Sequence, residues 1–155
     1  MDVKIINAFL DGTINVIKTM AFVEPIAGNP YLKKDAVAHG DISGIIGLAG
    51  SVKGSLALSF EEPCILEIVS SMLGEKITGI NAEICDAVGE ITNMVSGAAR
   101  KNMEATGFSI YSALPTVISG KDHNITHVMG GPSIIIPFTT ASGSFVVDIC
   151  IVEAK

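Results

Sequence analysis

The sequence predicts an α/β protein in which helices pack on antiparallel β-sheet, assembled from two related helix-plus-strand units. Two observations carry this expectation. Amphipathic helical stretches occur at residues 3–20 and 81–106, and each is followed by Gly-rich segments of strand character. Apolar residues make up 48% of the chain and charged residues only 17%, a balance that excludes disorder and demands extensive burial. The 155 residues fit one domain, 1–155, with a sizeable core. Trp is absent and aromatics are 5%, so Ile, Val, Leu, Met and Ala must fill most of it.

The first helix, residues 3–20, is marked by Ile6, Phe9, Leu10, Thr13, Ile17 and Met20 at the three-four spacing that lines one face. Asp2 is placed to cap it. Pro25, Gly28, Pro30 and Gly40 make residues 24–41 a loop or an irregular sheet edge. Residues 42–51 and 55–61 form a hairpin. A second helix starts at Glu62-Pro63, where Pro suits the first turn, and ends near Gly74. The long helix spans 81–106, with Gly107 at the position of a left-handed cap. Residues 108–119 follow, then a turn at 120–124 and candidate strands at 124–129, 133–139 and 142–152. Placing Asn7-Ala8 over Asp86-Ala87 stacks Asp11 on Glu90, Thr13 on Thr92 and Ile14 on Asn93, the pattern of a duplicated unit.

Several function classes are excluded. Mean hydropathy is +0.53, yet the most apolar stretch, residues 42–60, contains Lys53, Gly44, Gly47, Gly50 and Gly54. A spanning helix needs about 20 mostly apolar residues in a row. The opening MDVKII lacks the features of a secretory signal, so a cytoplasmic chain without membrane insertion is expected. Net charge is −6, and Lys33-Lys34 and Arg100-Lys101 are the only basic clusters, so no nucleic-acid partner is expected. Cys64, Cys85 and Cys150 lie far apart among apolar residues and are read as reduced core thiols.

The chemistry concentrates on the long helix. At about 100° per residue, Ile84, Val88, Ile91, Val95, Ala98 and Ala99 share a core-facing sector, while Asp86, Glu90, Asn93, Gly97, Arg100, Lys101 and Glu104 lie opposite. Glu90 and Asn93 are three apart and therefore neighbours. A mid-helix Gly costs about 1 kcal/mol against Ala. On the outward face, Gly97 would let another surface approach that pair. A solvated face explains Glu and Asn equally well on spacing alone. His123 and His127, with Asp122 adjacent, raise a metal reading. On a turn and a strand, four residues span about 13 Å, so surface histidines are expected, with His39 a loop residue. Ser142-Gly143-Ser144 and the Gly-rich strands match neither a P-loop nor a dinucleotide fingerprint, and no thiol stands in the polar setting a nucleophile needs.

The stretch DAVGEITNMVSGAARK, residues 86–101, resembles the signature helix of the CheC/CheX/FliY family of chemotaxis phosphatases. That signature runs acidic or Ser, then Glu, then Asn three later, with a Pro further on; here these are Asp86, Glu90, Asn93 and Pro115. LPTVISGKDH, INVIKTMAFVEP and IIIPFTTASGSFVVDICI are similar to the CheX branch, so the resemblance covers nearly the whole chain. It implies a CheC-like fold and hydrolysis of the aspartyl-phosphate of a phosphorylated CheY-type response regulator. It further implies that Asn93 positions the attacking water and that Glu90 pairs with a Lys of the regulator. Asp86, Gly97, Arg100, Lys101 and Pro115 become the expected partner-contacting residues. No cofactor or metal of the chain's own is expected, Mg²⁺ being supplied by the regulator, and the CheX branch implies a homodimer paired through its sheets. Two-site members repeat the Glu-Asn pair on the first helix. Here Asp11 and Ile14 take those places and Asn15 comes one residue late, which implies a single site. The alternatives are a non-catalytic module that binds a response regulator or flagellar-switch partner, and a metal enzyme using His123 and His127.

Overall fold

The computed structural model describes residues 3–33, 35, 38, 40–127 and 133–153. In order, the elements are α1 (Val3–Ala21), β1 (Ile26–Ala27), β2 (Tyr31–Lys33), β3 (Ile42–Gly50), β4 (Val52–Phe60), α2 (Glu62–Leu73), α3 (Ala82–Glu104), β5 (Ile110–Ser112), β6 (Thr116–Ser119), β7 (Ser133–Thr139) and β8 (Ser144–Glu153). The expected hairpin is present as β3–β4, tight enough that β4 begins at Val52. The segment expected as a loop or irregular edge supplies two short strands, β1 and β2, both paired to β7. Of the expected strand at 124–129, the described part (124–127) joins no ladder beyond one bridge at Asn124; residues 128 and 129, Asp2 and His39 lie outside the described residues.

All described strands belong to one antiparallel sheet of order β1-β7-β8-β4-β3-β5, with β2 beside β1 on β7 and β6 beside β5 on β3. This order is symmetric about the β4–β8 pair. Each half contributes one hairpin to the middle, and its two short strands attach to the other half's hairpin. The duplication read from the sequence is therefore present in the topology. It recurs in detail: Thr13 Oγ1 donates to Phe9 O and Thr92 Oγ1 to Val88 O, each at 2.7 Å, at positions the alignment of the two helices makes equivalent. Phe60, Phe145 and Phe138 stack across β4, β8 and β7 with ring centroids 5.0 and 4.9 Å apart, tying the halves together.

The helices cover one face of the sheet. Alternation puts Ile42, Ile46 and Leu48 of β3, Leu56, Leu58 and Phe60 of β4, and Val147 and Ile149 of β8 in the core under them. α3 presents Ile84, Val88, Ile91, Val95, Ala99 and Met103, all buried. Burying a side chain of this size stabilises by about 1.5–3 kcal/mol. Ala98, expected in the core stripe, is only half-buried because it meets α1: a Cβ at Gly12 would lie 3.3 Å from Ala98 Cβ and 3.1 Å from Ala99 N. No described helix is long and apolar enough to cross a membrane.

Candidate functional site

α3 is capped at both ends, at the second by the glycine expected from the sequence. Asn81 caps it, its Oδ1 accepting from Ile84 N at 2.9 Å. At the other end Phe108 N donates to Met103 O (3.0 Å) and Gly107 N to Glu104 O (3.1 Å), with Gly107 at φ +93°. That is the Schellman pattern, and it needs a residue that tolerates positive φ at Gly107.

Between these ends Asp86, Glu90, Asn93, Arg100, Lys101 and Glu104 are exposed, as the periodicity predicts. No side-chain hydrogen bond or ion pair joins Glu90 or Asn93 to another described residue. Being three apart on a helix, their Cβ atoms are about 5–6 Å from each other. Gly97 is half-buried, and a Cβ there would meet nothing within 4 Å, so the surface beside the pair is open. Pro115 is half-buried on the flank of the same helix. A Cβ at Gly89 would lie 3.9 Å from Pro115 Cγ and 3.5 Å from Val117 Cγ2. Gly89 and Asn93 are one turn apart, so the β5–β6 loop walls the side of α3 next to Asn93. The structure thus gathers the sequence-named residues onto one ridge. Sequence reasoning missed the part of Gly89, whose signal was only a second glycine beside Glu90. On α1, Asp11 and Asn15 are exposed and Ile14 is half-buried, so the first half presents no carboxylate–amide pair at the equivalent places.

The histidines need a correction. They are not free surface residues but staples on the sheet face opposite the helices. His123 Nδ1 donates to Gly120 O (2.6 Å), so in the neutral ring Nε2 accepts from Ser43 Oγ (2.6 Å), which also bonds Ser59 Oγ (2.6 Å). His127 Nε2 donates to Asp148 Oδ1 (2.8 Å) and its Nδ1 faces Ser55 Oγ (2.6 Å). Lys33, read as part of a basic cluster, is buried, with Nζ 3.1 Å from Asp148 Oδ2. The Ser55-His127-Asp148 order has hydrolase chemistry in its residue types. Ser55, however, is 1% exposed in mid-strand at the centre of the sheet, so no substrate can reach its hydroxyl. Among the described residues no group of three His, Cys, Asp or Glu could hold a metal ion, and the two histidines engage separate partners. No disulfide joins the described cysteines. Burial, only partly offset by a hydrogen bond from Thr140, pushes the Cys64 thiol up to about 11, so it supplies no thiolate at neutral pH.

The fold defines a class: a helix-on-sheet duplication with a polar pair on one exposed helix. Comparison with known proteins gives the family. The family model for the chemotaxis phosphatase CheX matches residues 42–139. The CheY-P phosphatase CheX of Thermotoga maritima is 30% identical over 126 residues, 81% of each chain. The crystal structure of chemotaxis protein CheX from Vibrio vulnificus superposes with a TM-score of 0.89 at 44% identity, over 97% of this chain and all of that one. The CheX–CheY–BeF₃–Mg²⁺ complex from Borrelia burgdorferi contains a chain with a TM-score of 0.79 at 28% identity, over 96% of this chain and 97% of that one. This chain belongs to the CheX family of chemotaxis phosphatases.

Proposed function

We propose that this protein, as one domain, dephosphorylates a phosphorylated CheY-type response regulator, with Asn93 positioning the attacking water and Glu90 anchoring the partner. The observation that carries this reading is the exposed Glu90–Asn93 pair, unengaged by any other described residue and beside the open surface at Gly97. The names of the Thermotoga relative and the Borrelia complex support it. A carboxamide donates and accepts hydrogen bonds at once, so Asn93 can hold a water by its hydrogens and the partner's phosphoryl group by its oxygens. The water oxygen attacks phosphorus, the phosphorus–oxygen bond to the regulator's Asp breaks, and its carboxylate leaves as inorganic phosphate forms. Catalysis of this kind rests on in-line positioning and charge stabilisation. The regulator's own acidic residues supply Mg²⁺, which offsets phosphoryl charge. Asp86, Arg100, Lys101 and Pro115 frame the contact. Such a substrate is an intracellular species, and a cytoplasmic location belongs to the same reading.

The direct test is phosphate release from a phosphorylated CheY-type regulator with Mg²⁺, with and without the purified protein. Acceleration is expected; binding without acceleration selects the non-catalytic module. Glu90→Ala should raise KM for the regulator by roughly ten- to a hundredfold, the worth of one charge-assisted hydrogen bond. An unchanged KM would remove the anchoring role.

A homodimer formed through the sheets belongs to the same reading. At one sheet edge Tyr111 and Leu114 are 67% and 89% exposed, next to an apolar groove of about 500 Å³ that includes Gly47, Ala49 and Gly54. Light scattering on an eluting size-exclusion peak should give twice the 16.1 kDa chain mass; a monomer at micromolar concentration refutes it.

A further inference from the structure

We infer that Gly44 of β3 and Thr92 of α3 form a steric key that sets the roll of α3 and so positions Asn93 for chemistry. The inference rests on the reading of Asn93 as the water-positioning group.

Gly44 lies in mid-strand on the helix-facing side, between Ile42 and Ile46. A glycine there forgoes packing and weakens the strand, so a close approach is the physical reason to look for. The approach is Thr92. A Cβ at Gly44 would lie 2.0 Å from Thr92 Oγ1, 3.0 Å from Thr92 Cβ and 3.3 Å from Val88 Cγ1. Thr92 is fully buried, and its hydroxyl is already committed, donating to Val88 O at 2.7 Å. It cannot rotate away without leaving a buried donor unpaired. The hydroxyl is thus a rigid peg seated over a bare Cα.

Two other contacts limit what α3 can do. On one side Ala98 and Ala99 lie against Gly12 of α1, and on the other Gly89 meets Val117 and Pro115. With both flanks held, a Cβ added at Gly44 must lift or roll the helix at Thr92. Asn93 is the next residue, so it moves with the peg. Displacement of a positioning group by about 1 Å can cost on the order of 10²-fold in rate. Binding through Glu90, a flexible charged side chain at the surface, tolerates such a shift far better. The signature is therefore a fall in kcat with little change in KM.

The experiment compares the parent, Gly44→Ala, Thr92→Ala, Gly44→Ala/Thr92→Ala and Asn93→Ala, at a temperature where circular dichroism shows each to be folded. Phosphate release is followed with a phosphorylated CheY-type regulator and Mg²⁺. Gly44→Ala should lower kcat by roughly ten- to a hundredfold. Thr92→Ala leaves a void over Gly44 and should lower kcat less. The double variant removes the hydroxyl that the added Cβ would strike and keeps only the 3.0 Å approach to the Cβ of residue 92, so its kcat should exceed that of Gly44→Ala. A merely structural role would lower melting temperature and leave kcat per folded molecule unchanged, and that result overturns the key. Independent, multiplying losses in the double variant overturn it too. Should Gly44→Ala not fold, Thr92→Ala still decides: a parental kcat in that variant sinks the proposal. If Asn93→Ala retains parental release, the site reading itself falls. If Asn93→Ala is inactive while the Gly44 and Thr92 variants keep parental kcat, only the key falls.

Discussion

Replacing Asn93 by Ala is expected to slow phosphate release from the phosphorylated regulator by about 10²–10³-fold while the complex still forms at near-parental affinity. The argument is one of separable roles. Asn93 is exposed and bonded to nothing described within its own chain, so its removal leaves no buried group unpaired. Ala is the better helix former by roughly half a kcal/mol, so α3 should be no less stable. What disappears is a group able to donate and accept together at one point of the ridge. Glu90, one turn away, keeps the charge that holds the partner. Stopped-flow or steady-state phosphate release, with binding measured in parallel, gives both numbers. A parental rate in this variant would end the proposed mechanism, and a loss confined to affinity would reassign Asn93 to docking.

Asp148→Ala is expected to cost about 3–5 kcal/mol of stability, the typical effect of breaking a buried ion pair from one side. For a chain of this length that is a fall in Tm of roughly 10 °C or more. Side-chain exposure is 4% for Lys33 and 1% for Asp148, so the ammonium left behind has no water to turn to. His127 would lose its carboxylate partner and Ser55 a fixed ring. Burial alone would push the Asp148 carboxyl up. Hydrogen bonds from His127 and Ser133, with the positive charges of His127 and Lys33, outweigh it and hold the group below the usual carboxylate range. A carboxyl lowered on folding contributes stability above its unfolded value of about 3.9, and that contribution is lost as pH falls through the folded value. The parent should therefore lose stability steeply below about pH 4, and Asp148→Asn should show a shallower slope there. Urea melts from pH 7 down to pH 3 measure both. Equal slopes would mean the carboxylate gains nothing from its neighbours.

How far the sequence was legible follows from where each signal resides. Helix α3 could be read almost to its ends, because period and terminal glycine are local: the stripe from Ile84 to Ala99, and Gly107. The exposed ridge followed from the same period. Thr92 and Ser96 stood outside the core stripe and are buried; for Thr92 the reason is Gly44 of β3 beneath it, a neighbour 48 residues away that helical period cannot reveal. Gly44 read as one of many strand glycines until the helix above it was in place. The histidines were misjudged because neighbours were sought within a few residues. Their side-chain partners lie on strands 21 to 80 residues distant in sequence. The segment at 124–127 had strand-like composition but makes only the bridge at Asn124 among its described residues; Ile125 packs with Ala38 and Ala57 in a small separate cluster. Lys33 looked solvated because its counter-ion, Asp148, lies 115 residues away.

The exchange of short strands between the two hairpins has a consequence for how the chain is made. As it leaves the ribosome, β3–β4 emerges complete, with an apolar, glycine-rich edge on either side. One edge waits for β5 and β6, the other for β8, the last of the described strands to appear. Until then the nascent hairpin carries open backbone donors and acceptors of the sort that attract other chains. Closing it requires distant partners, which makes the final step slow. Until β8 has been synthesised, the β4 edge of a chain so arranged stays open to other strands.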